Sequence, residues 1–207
     1  LGGIAGTPKG RFVVIGGGTA GENAAKIALG MGANVTILDI SLQRLQQLES
    51  RFSGQVETIR SSPYAVAEAV AQADVVVGAA LVPGAAAPKL VTNEMVRKMK
   101  PGSVLVDIAI DQGGCFADSR PTTHDDPTFK VHDSIFYCVA NMPGSVPNTS
   151  TIALTNATLP YAAALADKGV DVAFLEDPAL ALGANVRDGK IVNPAVAEAY
   201  TAATSGL

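Results

Sequence analysis

Short apolar runs alternate along the chain with segments whose apolar residues recur every three to four positions. Arg11–Ile15 (RFVVI) predicts a buried strand that ends in a glycine cluster. Across Thr19–Met31, residues Ala20, Ala24, Ile27, Ala28 and Met31 fall at helical spacing, with Gly30 and Gly32 as stop signals. Asn34–Leu38 (NVTIL) predicts a second strand closing on Asp39. Ser41–Arg51 stripes Leu42, Leu45 and Leu48 along a helix behind Ser41 as its cap. The same reading gives strands at Gln55–Ile59, Asp74–Gly78, Ser103–Asp107 and Ser134–Val139. Helices fall between them at Pro63–Val70, behind Ser61 or Ser62, and at Thr92–Met99, stopped by Pro101-Gly102.

Strands alternating with helices over short loops predict an α/β fold: a doubly wound parallel sheet of the Rossmann type with helices on both faces. This domain is expected to span residues 1–147. Beyond Pro147 the alternation stops. Thr155–Lys168 predicts a longer helix ended by Gly169, and a turn at Asp188-Gly189 and a helix start at Asn193-Pro194 follow. Residues 148–207 are therefore expected to be a helical C-terminal segment that packs on a second domain. The chain opens on Leu1 rather than Met, which suggests a piece of a longer protein.

Composition narrows the function. The chain has 207 residues, 48% hydrophobic and 16% charged, enough for a sizeable core and unlike a disordered chain. A net charge of −4 offers no basic surface for nucleic acid. The longest uncharged span, Ser134–Ala166, is interrupted by Pro143, Gly144 and Pro147 and does not read as a membrane helix. No signal peptide is visible. With only Cys115, Cys138, His124 and His132, no metal site is expected, and the thiols suit a reduced, cytoplasmic chain. His124 and His132 read as exposed loop residues, and Cys115 as a small packing residue.

Four places carry chemistry. Gly16-Gly17-Gly18-Thr19-Ala20-Gly21 is a G-x-G-x-x-G between a strand and a helix, the context in which such a pattern cradles a pyrophosphate. Gly16 allows the tight turn, Gly18 the approach of phosphate, and Gly21 close helix–strand packing; a merely structural turn is the bland alternative. Asp39, at the end of the second strand, is placed to accept from the ribose hydroxyls of NAD and to repel the 2′-phosphate of NADP. Arg44, one turn on, is a solvated helix residue or an adenine-side contact. Asp111, past the fifth strand, binds the nicotinamide ribose, orients a reacting group, or caps a loop. Asn141, past the sixth strand, can both donate and accept.

VVIGGGTAGENAAKIALGMGANVTILDI, GAALVPGAAAPKLV, LVDIAIDQGGC and FYCVANMPGSVPNTST together resemble alanine dehydrogenase over essentially the whole chain. The resemblance implies NAD-dependent oxidative deamination of L-alanine to pyruvate and ammonium, and its reverse. It implies that Thr19, Ala20 and Asp39 contact NAD, with Arg44 and Ser61 near the adenosine and Ala80 and Leu81 lining the dinucleotide. Ile108, Ala109, Ile110 and Asp111, with Val139, Ala140, Asn141 and Met142, would bracket the nicotinamide half. Arg120 matches a further cofactor contact, and Asp111 the family's active-site aspartate. The small-molecule substrate would be bound without nucleic acid or membrane, in a homo-oligomer, a hexamer by resemblance.

The family's substrate-binding arginine and lysine and its acid–base histidine lie before the stretch matching Leu1. The segment is accordingly expected to bind NAD without turning over alanine by itself. Two alternatives stand beside this: the NAD-binding component of a proton-translocating transhydrogenase, and a non-catalytic NAD-binding module. The Ala109-Ile110-Asp111-Gln112-Gly113 stretch favours alanine dehydrogenase over the former.

Overall fold

A computed structural model describes residues 1–81 and 87–204; residues 82–86 of the GAALVPGAAAPKLV stretch lie outside it. In chain order the first unit runs β1 Arg11–Ile15, α1 Thr19–Gly30, β2 Asn34–Asp39, α2 Leu42–Arg51, β3 Glu57–Arg60, α3 Pro63–Gln72, β4 Val75–Gly78, α4 Asn93–Arg97, β5 Val104–Asp107, β6 Thr128–Val131 and β7 Ser134–Tyr137. The chain divides into two compact units, Leu1–Asn141 and Met142–Leu207. The sequence places the change at 147.

The helices begin where short polar side chains can satisfy free backbone donors. Ser41 Oγ accepts from Arg44 N at 3.2 Å, Ser62 Oγ from Ala65 N at 3.1 Å, and Thr92 Oγ1 from Met95 N at 3.4 Å. Ser62 is thus the cap of α3. Ser61, one residue earlier, is left for another role.

The sheet has the order β3-β2-β1-β4-β5-β7-β6. Every pairing is parallel except β6 with β7. This is a Rossmann sheet with an added antiparallel edge. β6 has no counterpart among the predicted strands. Its Phe129 and Val131 are half-buried and its Thr128 and Lys130 exposed, as an edge strand requires.

Alternate residues of each parallel strand enter opposite cores. Val13 and Ile15 of β1 join Val66, Val70, Val96, Leu105 and Phe136. Val14 joins Ala25, Ala28, Ile37, Leu48 and Phe52 on the other face. The chain runs outward through β1, β2 and β3, then returns to β4 beside β1, so the crossovers diverge between β1 and β4. A crevice at the carboxyl ends of the strands follows from that reversal.

Helix α1 lies against β1 at the closest approach a polypeptide permits. A Cβ on Gly21 would stand 1.9 Å from the Gly16 carbonyl oxygen and 3.0 Å from Val14 Cγ1. Gly16 has φ +103, and a Cβ there would sit 2.6 Å from Ala80 N. Gly18 has nothing within 4 Å of where its Cβ would be.

At the amino ends of the strands, Asp74 joins β1 to the turn before β5. Its Oδ2 accepts from Arg11 N at 2.7 Å and its Oδ1 from Lys100 Nζ at 2.8 Å. Partial burial works against its charge but is outweighed by these donors, so its carboxyl titrates below the ordinary 3.8.

The second unit is α5 Pro147–Glu176, α6 Pro178–Ala181, a hairpin of β8 Val186–Arg187 and β9 Lys190–Ile191, and α7 Pro194–Thr204. The predicted Thr155–Lys168 helix is the middle of α5, and Gly169, at φ 75 and ψ 164, interrupts it where the stop is expected. Asp188 and Gly189 turn the hairpin with positive φ at both positions. Asn193 Oδ1 accepts from Ala195 N at the start of α7. Ile152, Leu154, Leu159 and Leu175 of α5 are exposed. Among the described residues no helix is long and apolar enough to cross a membrane.

Two outcomes are expected. Gly21→Ala must displace α1 from β1 and lower unfolding free energy in urea by ~1–3 kcal/mol; Gly18→Ala costs less than about 1 kcal/mol. Equal losses at the two sites would contradict the packing assignment. Asp74 has a depressed folded-state pKa, so its contribution is present above pH 3.8 and fades as pH falls through the lower folded value. Asp74→Asn should therefore cost less than about 1 kcal/mol near neutrality, since the pair is half exposed. The difference from wild type should shrink in acid; one that widened would reverse the sign assigned here.

Candidate functional site

Each parallel pairing from β3 to β5 is extended by one backbone bond at its carboxyl end. Ser61 N donates to Asp39 O, Gly16 N to Leu38 O, Ala79 N to Ile15 O and Ile108 N to Gly78 O, at 2.8, 2.8, 2.8 and 2.9 Å. The residues that leave the sheet therefore leave it at one level. They line a cleft of about 690 Å³.

Of the residues expected at a nucleotide site, Gly16, Gly18, Thr19, Ala20, Asp39, Ser61, Ala80, Leu81, Ile108 and Ala109 line this cleft. Gly21 is buried beneath it, where it sets the helix–strand distance. Leu38, Ile40, Ser41, Pro88 and Leu90 also line it and were not singled out in the sequence. Most of them are apolar residues beside the expected ones, with no motif to mark them.

The remaining expected residues lie elsewhere. Ile110 is buried and Asp111 exposed on a single 3-10 turn, Ile110–Gln112. Val139 is buried, while Ala140 and Asn141 are exposed beyond β7, and Asn141 has φ 53. Met142 opens the second unit. Arg120 is exposed and places its guanidinium 4.1 Å above the Phe129 ring. Arg44 is turned to the glycine loop.

That loop is held by charge on both sides of one residue, Gly17. Gly17 N donates to Asp39 Oδ2 at 2.7 Å, and Gly17 O accepts from Arg44 Nε at 2.6 Å. Asp39 Oδ1 also accepts from Ser41 N at 2.8 Å. Each carboxylate oxygen has capacity for a further donor. Arg44 in turn pairs with Glu22, which also pairs with Arg51. The Arg51 hydrogen bond, opposed by partial burial and helped by Arg44, holds the Glu22 carboxyl below its ordinary range.

The first turn of α1 faces the same cleft. Gly18 is its cap residue and has no side chain to cap the free N–H groups. Open space at Gly18 and unclaimed donors beside it are what an anionic group needs at a helix N-terminus.

A second carboxylate, Asp107, organises the loop after β5, and the sequence assigned it no role. It is fully buried. Its Oδ1 accepts from Ala109 N at 3.1 Å. Its Oδ2 accepts from Cys115 N at 2.8 Å, from Phe116 N at 3.3 Å and from the Ser119 hydroxyl. A Cβ on Gly114, at φ +78, would press to 2.7 Å from Oδ2. Asp107 thus folds residues 108–119 over the strand end and fixes Ala109 in the cleft floor.

Cys115 donates Sγ–H to Ala80 O at 3.3 Å. Burial, reinforced by the Asp107 charge, pushes its thiol up to about 12, so it is a protonated packing residue. Burial also raises Cys138. His132 Nε2 lies 3.0 Å from Asn93 Oδ1, and Asn93 donates Nδ2–H to Asp118, away from the cleft lining. Among the described residues no cluster could hold a metal ion.

Comparison with known proteins places this geometry in a family. The family model "Alanine dehydrogenase/PNT, C-terminal domain" matches residues 1–194. Alanine dehydrogenase of Mycolicibacterium smegmatis is 61% identical over 96% of this chain and 53% of its own length. That of Halomonas elongata is 58% identical over 97% and 54%. A solved L-alanine dehydrogenase superposes with TM-score 0.87 at 47% identity, covering 98% of this chain and 56% of that one. A transhydrogenase from Sinorhizobium meliloti gives 0.70 at 30% identity, covering 94% and 53%. The chain spans about half the length of the curated relatives it matches. It belongs to the alanine dehydrogenase/PNT C-terminal domain family.

Proposed function

We propose that this chain is the NAD-binding part of an NAD-dependent L-alanine dehydrogenase, which interconverts L-alanine with pyruvate and ammonium by hydride transfer. The observation that carries the reading is 61% identity to an alanine dehydrogenase over 96% of the chain. The cleft supports it independently, since the glycine loop, the open helix N-terminus and Asp39 line one space. The transhydrogenase reading has weaker support, at 30% identity.

The residues divide the cofactor among them. Gly18, Thr19 and Ala20 offer backbone donors to the pyrophosphate. Asp39 accepts from the adenosine ribose with its remaining capacity and repels a 2′-phosphate. Ser61 and Arg44 lie on the adenosine side, and Ala80, Leu81, Ile108 and Ala109 shape the wall toward the nicotinamide. Bound NAD supplies the hydride acceptor. Ile110, Asp111, Arg120, Val139, Ala140, Asn141 and Met142 complete the nicotinamide surroundings in this reading, with Asp111 as the carboxylate nearest the chemistry. In this reading the family's substrate clamp lies outside these 207 residues, and the segment alone holds the cofactor without oxidising alanine. Residues 148–207 belong to the substrate domain, and the whole enzyme is a cytoplasmic homo-oligomer, a hexamer in this reading.

Titration of the purified chain with NAD should give saturable binding, with no alanine-dependent NADH. Asp39→Asn should weaken that binding by ~1–3 kcal/mol, the cost of a lost charge-assisted hydrogen bond. An unchanged dissociation constant would remove Asp39 from the ribose, and robust NADH production would refute the division of labour. In the whole enzyme, Asp111→Asn should lower kcat by more than it raises the NAD dissociation constant. The opposite pattern would make Asp111 a cofactor ligand only.

A further inference from the structure

Glu22 occupies an unexpected place. It lies in the first turn of α1, whose N-terminus lines the cleft. A free carboxylate there would repel any phosphate bound at the helix end. Two cations cancel it: Arg44 and Arg51 each donate to one of its oxygens. Its side chain is 16% exposed and that of Arg44 24%, so solvent screens the cluster incompletely.

The cluster is joined to Asp39 through one residue, Gly17. Asp39 takes the Gly17 N–H and Arg44 the Gly17 carbonyl. Asp39, Glu22, Arg44 and Arg51 therefore form a network with no net charge at the corner where the ribose end of the cleft begins. Of its two cations, Arg44 is the one placed next to Asp39 by a shared partner. While Glu22 holds it, that guanidinium is neutralised.

We propose that Glu22 is a specificity-determining residue: by neutralising Arg44 and Arg51 it denies a nucleotide 2′-phosphate the cation it would need beside Asp39. The inference rests on the nucleotide reading given above and extends it from the carboxylate that repels the 2′-phosphate to the residue that keeps an adjacent cation from attracting it. Removing the Glu22 charge leaves one surplus positive charge at this corner. A doubly charged 2′-phosphate feels that surplus more than the ribose hydroxyl of NAD does.

The test is calorimetric titration of the purified chain with NAD and with NADP. Glu22→Gln should tighten NADP by about three- to tenfold at low ionic strength, with NAD changed less than about twofold. Adding Arg44→Gln to Glu22→Gln should return the ratio of NADP to NAD affinity to that of wild type, which locates the attraction in Arg44. Arg51→Gln, at a site 63% exposed, removes a cation while keeping Glu22, and should raise the preference for NAD. This variant answers the question even where Glu22→Gln fails to fold. Unchanged discrimination in both single variants overturns the network, as does an NADP gain that survives loss of Arg44. A wild-type chain that binds neither nucleotide overturns the cofactor reading itself, and the inference with it.

Discussion

The spacing between α1 and β1 is set by an absent methyl group. With Gly21 the helix can rest against the carbonyl of Gly16; with any other residue a Cβ would occupy the same space at 1.9 Å. That contact fixes where the first turn of α1 points. It keeps the uncapped N–H groups level with the ends of β1, β2, β4 and β5, so the loops leaving those strands and the helix end share one cleft. The small residues Ala25 and Ala28, buried on the same helix face, continue the close approach along its length.

Two strand-end carboxylates then shape the loops on either side of the crevice. Asp39 holds the glycine loop through Gly17 and starts α2 through Ser41. Asp107 gathers three backbone donors and a hydroxyl from the loop after β5. Both use the same physics: a charged acceptor satisfies donors that leave the ladder where the strand stops. They differ in exposure. Asp107 is sealed and serves the fold alone, whereas Asp39 lines the cleft and keeps capacity for a ligand.

The parallel core was legible because each strand is an apolar run bounded by glycine or a cap. All six predicted strands are present, shifted by up to two residues at an end. β6 was hidden by its length and setting. Four residues, TFKV, alternate between half-buried and exposed inside the charged stretch from Asp118 to Asp133, which reads as loop. The first turns of α5 were hidden by Asn, Thr and Ser, whose weak helix propensity is overridden there. At the site, glycine spacing and Asp39 were readable because the backbone demands them. Asp107 carries no motif of its own, although period two along β5 places it on the buried face with Leu105. Glu22 could not be found by pattern, because its partners Arg44 and Arg51 come from another helix.

Under the proposed cofactor reading Asp39 has a double duty, and that duty restricts how this cleft can change over evolution. In many nucleotide sites a ribose-binding carboxylate could drift to a small neutral residue and the cofactor preference would follow. Here such a drift also strips the acceptor from the buried Gly17 N–H and from the start of α2. In that reading, affinity and local order are lost together at one codon. A lineage altering its cofactor would first need a substitute acceptor for Gly17, and Ser41 and Ile40, which stand on the same rim, are the positions from which one could come. The order in which substitutions can accumulate is thereby written into the hydrogen bonds of a single loop.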